Sequence, residues 1–146
     1  MPQIVLRPAT TADIDAVLAF WRLAAEGTNR RDSAEAVASL LARDPEALIL
    51  ADHRGEIVGS VIAGWDGWRC HLYRFAVHPN HRRRGIGRAL LEAAESRLAR
   101  AGGARADAMV RDGNELAHRA WSASGYLRQT DSSRWVKALP APHDRR

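Results

Sequence analysis

Apolar positions recur along this chain with two different periods, and the switches between them divide it into elements. Ile4-Val5-Leu6-Arg7 predicts a short strand, and Pro8-Ala9-Thr10-Thr11-Ala12-Asp13 predicts a turn whose Thr or Asp caps a helix. Ile14, Val17, Leu18, Trp21 and Leu23-Ala24 then recur at spacings of three and four, giving a helix with one apolar stripe through about residue 25. Gly27-Thr28-Asn29 breaks it, and Ser33 caps a second helix over 34–43 with Val37, Leu40 and Leu41 inward. Asp44-Pro45 ends that helix. From there the period is two. Residues 47–52 and 56–63 read as a hairpin around His53-Arg54-Gly55, Trp65-Asp66-Gly67-Trp68 makes the next turn, and 70–77 extends the meander. His78-Pro79-Asn80 stops it, because Pro has no donor for a central ladder. Ile86, Leu90, Leu91, Ala94 and Leu98 mark a helix over 85–101 that Gly102-Gly103 closes. A strand over 104–110, a helix over 114–124, a strand starting at Gly125-Tyr126 and a last strand over 133–137 complete the pattern.

The predicted order is β-α-α-β-β-β-α-β-α-β-β, an α/β (α+β) fold with a mixed sheet and helices over it. The crossover through 85–101 makes the strands on either side of that helix parallel. No internal repeat or linker interrupts the chain, so residues 1–139 are expected to form one domain. Residues 140–146, with two prolines and little to bury, are expected to be a disordered tail.

Composition narrows the class. A chain of 146 residues with 46% hydrophobic and 27% charged residues is long and apolar enough for one buried core, which rules out intrinsic disorder and fibrous repeats. No apolar run reaches the ~20 residues of a membrane helix, and the start lacks a basic segment followed by a long apolar one. The expectation is a cytoplasmic protein without a membrane partner. Cys70 is the single cysteine, and no histidine pair has helical metal-ligand spacing, so no metal site is expected.

The net charge is +5, and 21 of the 22 basic residues are arginine, which favours anionic partners without separating nucleic acid from a phosphorylated cofactor. The arginines concentrate once, at Arg82-Arg83-Arg84 and Arg88, threaded by Gly85 and Gly87 between a strand and a long helix. Glycines at a helix start let backbone N–H groups approach an anion, the helix dipole favours negative charge there, and flanking arginines add charge-assisted contacts. The bland alternative is a turn whose arginines keep a solvated face. The dinucleotide fingerprint fails because Leu90 stands where its third Gly belongs, and the Walker A loop fails for want of Lys-Ser/Thr after Gly85 or Gly87.

A third pattern fits. Arg82-x-x-Gly85-x-Gly87 after a Val-x-Pro strand end resembles the acetyl-CoA loop of the GNAT superfamily of N-acetyltransferases, whose signature is Gln/Arg-x-x-Gly-x-Gly/Ala. Asn114 to Tyr126, an Asn followed by a short helix and a terminal Gly-aromatic pair, is similar to that family's second motif. The resemblance implies a GNAT-like sheet splayed between the strand ending at Val77 and the one from Ala104. Acetyl-CoA, as cosubstrate, would lay its pantetheine in the notch against Phe75, Ala76 and Val77. Its diphosphate would sit on the amides of Arg83, Arg84, Gly85, Ile86, Gly87 and Arg88, with Arg82 and Arg84 as supporting cations and Asn114 on the cofactor arm. The acceptor would be a small-molecule or peptide amine, and the terminal strands would suit a homodimer.

The chemistry implied is direct attack by a neutral amine on the thioester carbonyl, with a base taking the amine proton and backbone N–H stabilising the oxyanion. Where the family usually holds a tyrosine thought to protonate the thiolate, this chain has Trp121, whose indole N–H donates a hydrogen bond and releases no proton. Strand parity supplies replacements. His71, Tyr73, Phe75 and Val77 are expected to share one face, so that His71 accepts the amine proton and Tyr73 acts as acid or orients the amine. A half-buried sheet histidine and a core tyrosine are the ordinary alternatives. Glu26 and a Trp65-Asp66-Trp68 wall are further acceptor-side candidates, and Cys70 reads as a small buried hydrophobe. Two other classes stay open: an acyl-CoA-binding sensor without turnover, motivated by Trp121, and a nucleic-acid-binding domain. The latter lacks stacking aromatics among its arginines, so no nucleic-acid partner is expected.

Overall fold

The computed structural model describes residues 3–24 and 32–141. Gly27-Thr28-Asn29, Glu26 and the last five residues of the expected tail lie outside them. Five strands form one sheet in sequence order: β1 (Ile4–Pro8), β2 (Leu48–His53), β3 (Glu56–Trp65), β4 (Cys70–Val77) and β5 (Ala106–Ala108). The first four run antiparallel and β5 is parallel to β4, as the crossover requires. Helices α1 (Ile14–Ala24) and α2 (Ala34–Arg43) belong to one layer, and α3 (Ile86–Arg100) and α4 (Glu115–Ala123) to the other. Among the described residues no helix is long and apolar enough to cross a membrane.

The local signals act as their chemistry dictates. Ser33 caps α2 by accepting the Ala36 N–H at 3.1 Å. The β2–β3 hairpin turns on Arg54 and Gly55, both at positive φ (54° and 87°), the geometry whose twist matches the strands. All five apolar positions expected on α3 are buried and form one core with Val58, Val61, Ala63, Cys70 and Leu72. The second core lies on the opposite face, where Val17, Phe20, Trp21, Val37 and Leu41 cover Leu48, Leu50, Ile57 and Ala76. Cys70 is buried, as expected of a small hydrophobe, in the same core as Phe75 and Val77. On α1 the stripe turns slightly from expectation: Phe20 is inside, and Leu23 is 61% exposed.

Two expectations fail. No strand forms after α4 among the described residues: neither the stretch opening at Tyr126 nor residues 133–137 join the sheet. A polar run, Arg128 to Ser133, separates their apolar points, β5 offers only three residues to pair against, and Leu127, Trp135 and Val136 remain exposed. The second failure is parity. The β3–β4 register slips between Ser60 and Ile62, which pair with Ala76 and Tyr73, so β4 holds one extra residue there. Arg74 occupies the bulge at φ 48°. Leu72, Phe75 and Val77 therefore pack on the α3 side, whereas Tyr73 lines a cavity with Trp21, Val37 and Leu40 on the α1–α2 side. His71 alternates with the α3-side residues Cys70 and Leu72 and so joins Tyr73, not Phe75 and Val77.

The bulge is held by a buried relay. Trp21 Nε1–H donates to Ser60 Oγ at 2.9 Å, and the Ser60 hydroxyl donates to the Arg74 carbonyl at 2.7 Å. Ser60 has no exposed surface. Outside, the Arg74 guanidinium lies over the Trp21 ring, 5.7 Å from its centroid, and its Nε donates to Asp32 at 3.1 Å.

Two predictions follow from these contacts. Ser60→Ala strands both partners of a buried hydroxyl and is expected to cost about 2–4 kcal/mol in denaturant unfolding; a midpoint equal to wild type would show that the relay does not hold the bulge. Near the first turn, Arg7 donates to both carboxylate oxygens of Asp13 at 2.8 and 2.9 Å and holds its carboxyl down to about 2. A depressed carboxylate contributes stability above its ordinary value of 3.8 and loses it as pH falls towards 2. Asp13→Asn should therefore flatten the acid limb of a stability–pH curve across that window and lower stability at neutral pH.

Candidate active site

The sheet opens where the resemblance placed its notch. β4 and β5 pair only through Cys70, His71 and Leu72 with Ala106, Asp107 and Ala108. Residues 73–77 have no main-chain partner on that side among the described residues, which leaves an open edge. β4 then runs through a 3-10 turn (Pro79–His81), capped by His78 Nδ1 accepting the Asn80 N–H, into the arginine loop and α3.

The loop is shaped by backbone. Arg83 and Gly85 adopt positive φ (63° and 78°), and Gly85 caps α3 without a side-chain bond. The first helical bond is Ala89 N–H to the Gly85 carbonyl, so the amides of Ile86, Gly87 and Arg88 have no intrahelical acceptor and carry the positive end of the helix dipole. Gly87 lies against β4: a Cβ there would stand 3.0 Å from Phe75 Cζ and 3.5 Å from Val77 Cγ2. Ile86 is buried and anchors the loop to the core. Arg82, Arg83 and Arg84 are exposed, and Arg88 pairs with Glu92 one turn on at 3.2 Å. Asn114 caps α4 through Oδ1, which accepts the Ala117 N–H at 3.0 Å. Its amide nitrogen remains a donor.

Trp121 closes the far wall. Its ring packs edge-on against Phe75 and Tyr126, with centroids 5.0 and 4.9 Å away. The Tyr126 hydroxyl donates to Glu95 at 2.6 Å, and burial together with that carboxylate pushes its pKa up strongly. Phe75, Val77, Gly87 and Trp121 thus come together, while Ala76 turns its side chain into the other core.

On the opposite face a cavity of about 190 Å³ lies among Trp21, Val37, Leu40, Tyr73, Arg74 and Asp32. Tyr73 is half exposed, and its pKa is raised by burial and then by Asp107 and Asp66, with Arg134 opposing. The His71 ring stands 6.0 Å from it. His71 Nδ1 lies 2.7 Å from Asp107 Oδ1 and its Nε2 3.9 Å from Asp66 Oδ2. The wall of tryptophans does not form. Asp66 accepts the Trp68 and Arg69 N–H groups at 2.7 Å, which hold its carboxyl below its ordinary value, and Trp68 projects 80% exposed. Among the described residues no group of three or more His, Cys, Asp or Glu is arranged to hold a metal ion.

Sequence reasoning missed Asp107, Ser60 and Arg74, whereas Asp32 ends the 27–32 stretch expected to flank the acceptor side and does line the cavity. An aspartate alone in a short Ala-flanked strand was a usable signal for Asp107, since Asp is depleted in strands. The serine of an apolar strand was the comparable signal for Ser60.

Known proteins are similar to this chain in sequence and in fold. The family model described as "Acetyltransferase (GNAT) family" matches residues 14–126. An acetyltransferase of Pectobacterium atrosepticum is 36% identical over 103 residues, 70% of this chain and 73% of that one. The crystal structure of Ard1 from Thermoplasma volcanium superposes with TM-score 0.75 at 22% identity, covering 87% of this chain and 84% of that one. A diaminobutyrate acetyltransferase from Paenibacillus lautus, in complex with L-2,4-diaminobutyric acid and coenzyme A, gives 0.72 at 24% identity over 84% and 75%. With the family model spanning most of the sheet and both motifs, the chain belongs to the GNAT family of acetyltransferases.

Proposed function

We propose that this chain transfers the acetyl group of acetyl-CoA to a primary amine by direct attack. The observation that carries the reading is the open edge of residues 73–77 leading into a helix start whose amides have no intrahelical acceptor and which Gly87 lets pack close against Phe75 and Val77. An extended amide-bearing arm fits an unpaired strand edge, and a diphosphate fits the amides of Ile86, Gly87 and Arg88. The cosubstrate supplies an acyl thioester, and the chain's residues do the rest. Phe75, Val77 and Trp121 line the cofactor side, Asn114 offers its amide to the arm, and Arg82 and Arg84 supply supporting charge.

The bulge at Arg74 divides the labour. Phe75 and Val77 lie on the face of α3, whereas Tyr73 lines the cavity between the sheet and α1–α2 and the His71 ring stands 6.0 Å from it, so the amine approaches from the face opposite the cofactor. His71 takes the proton of the attacking ammonium or amine. The new N–C bond forms as the C–S bond breaks, with a β4 main-chain N–H near the bulge stabilising charge on the carbonyl oxygen. Tyr73, protonated at neutral pH, orients the amine. Tyr126 is not the missing acid, because its proton is held by Glu95. The thiolate leaves without a dedicated donor, tolerable for a thiol of pKa near ~8.5.

The reading is tested by calorimetric titration with acetyl-CoA followed by free-thiol release against a panel of amines and peptides. Saturable binding with amine-dependent thiol release is expected. Binding without release across the panel favours a sensor, and salt-sensitive binding of mixed nucleic acid with no response to acetyl-CoA overturns the proposal. Arg82→Ala with Arg84→Ala should weaken acetyl-CoA binding by about tenfold, more at low salt, because both side chains are exposed and their charge is screened. His71→Ala should lower turnover by about 10²–10⁴ with unchanged acetyl-CoA affinity; an unchanged rate removes His71 from the mechanism.

A further inference from the structure

The proposed base stands between two carboxylates that reach it from different elements, and they are not equivalent. Asp107 comes from β5, where the parallel register sets it beside His71, and its Oδ1 lies 2.7 Å from Nδ1. At that distance a proton lies between the two atoms, because a nitrogen lone pair and an ionised oxygen would repel. Asp66 comes from the β3–β4 turn, where Oδ1 is engaged by two main-chain amides and Oδ2 is 3.9 Å from Nε2, beyond hydrogen-bond reach. Among the described residues, the other charged or titratable groups around the site are Tyr73 on the same strand, Arg69 in the turn and Arg134, whose charge acts on Tyr73.

We propose that Asp107 is the positioning residue of the base: it holds the neutral His71 ring as the Nδ1–H tautomer and leaves the Nε2 lone pair free for the amine proton. A neutral imidazole in water favours the other tautomer, with the proton on Nε2, so an unaided His71 would present a donor where the reaction needs an acceptor. Asp107 also fixes the ring plane, and it faces the positive charge that forms when Nε2 is protonated. A structural reading of the same contact predicts little, because Asp107 and His71 are half and one-third exposed, and exposed ion pairs add little stability. This inference rests on His71 acting as the base, so its test is independent of any acceptor.

The measurement is a long-range 1H–15N correlation spectrum of the histidine rings in the full chain at mildly alkaline pH, with His71 assigned from a His71→Gln sample. The neutral ring is expected as Nδ1–H in the wild type and in Asp107→Asn, whose amide oxygen accepts the same hydrogen. In Asp107→Ala, a substitution that matches its neighbours Ala106 and Ala108, the Nδ1–H form should be lost in favour of Nε2–H. An Nε2–H ring in the wild type, or an Nδ1–H ring that persists in Asp107→Ala, overturns the proposal. Should the Ala variant fail to fold, the wild-type tautomer alone decides. Calorimetric titration of the same samples with acetyl-CoA is expected to give equal affinities. No binding to any of them would defeat the acetyltransferase reading while the spectrum still judges the dyad.

Discussion

One buried hydroxyl decides how this site is divided. Ser60 accepts from Trp21 and donates to the carbonyl of Arg74, and so ties α1, β3 and β4 together at the residue where β4 gains its extra position. A non-glycine residue at positive φ costs of order 1–3 kcal/mol and persists only where its surroundings over-determine it. Here the carbonyl is fixed from inside by Ser60, and the side chain from outside by Asp32 and the Trp21 ring. The result reverses the strand's alternation. Without the extra residue, His71 and Tyr73 would project into the same layer as Phe75 and Val77, and the proposed acceptor and cofactor sides would coincide.

The second constraint is the seat of α3. Ile86, Leu90, Leu91, Ala94 and Leu98 bury one helix face against β3 and β4, which puts the helix start beside the end of β4. Anion affinity at such a point comes first from amides that the helix cannot satisfy and only then from side chains. The arginines fit that ranking. Arg88 already pairs with Glu92, and the others are exposed to screening salt, so on the proposed reading the run of basic residues that dominates the sequence supplies the weaker part of the attraction.

What was legible in the sequence follows from the range of the interaction behind each feature. Ser33, the Arg54-Gly55 turn and the α3 stripe are written in residues at most a helix length apart, and each folds as read. The bulge is not local in that sense. Arg74 carries no sign of its conformation, since its cause lies at Trp21 and Ser60, and the period-two argument across 71–77 fails there even though Phe75 and Val77 do share a face. Asp107 meets His71 across 36 residues and through a parallel pairing whose register only the crossover sets. The two terminal strands failed for another reason: alternation is necessary for a strand but not sufficient, and a three-residue β5 offers them little ladder to extend.

The aromatic cluster bears on why the proposed mechanism puts its proton transfer on the other face of the sheet. Phe75, Trp121 and Tyr126 form a continuous edge-to-face cluster beside the notch, and the one hydroxyl in it is committed to Glu95. Such a wall excludes water and grips an apolar arm but delivers no proton to a departing sulfur. On the proposed reading that omission is the lesser loss, because a thiolate is a far better leaving group than the amine is a nucleophile when protonated. An ammonium must lose its proton before it attacks, whatever the leaving group. The proposed mechanism gives the proton transfer to the group in which Asp66, His71, Tyr73 and Asp107 stand together, and leaves the aromatic wall on the other face to packing.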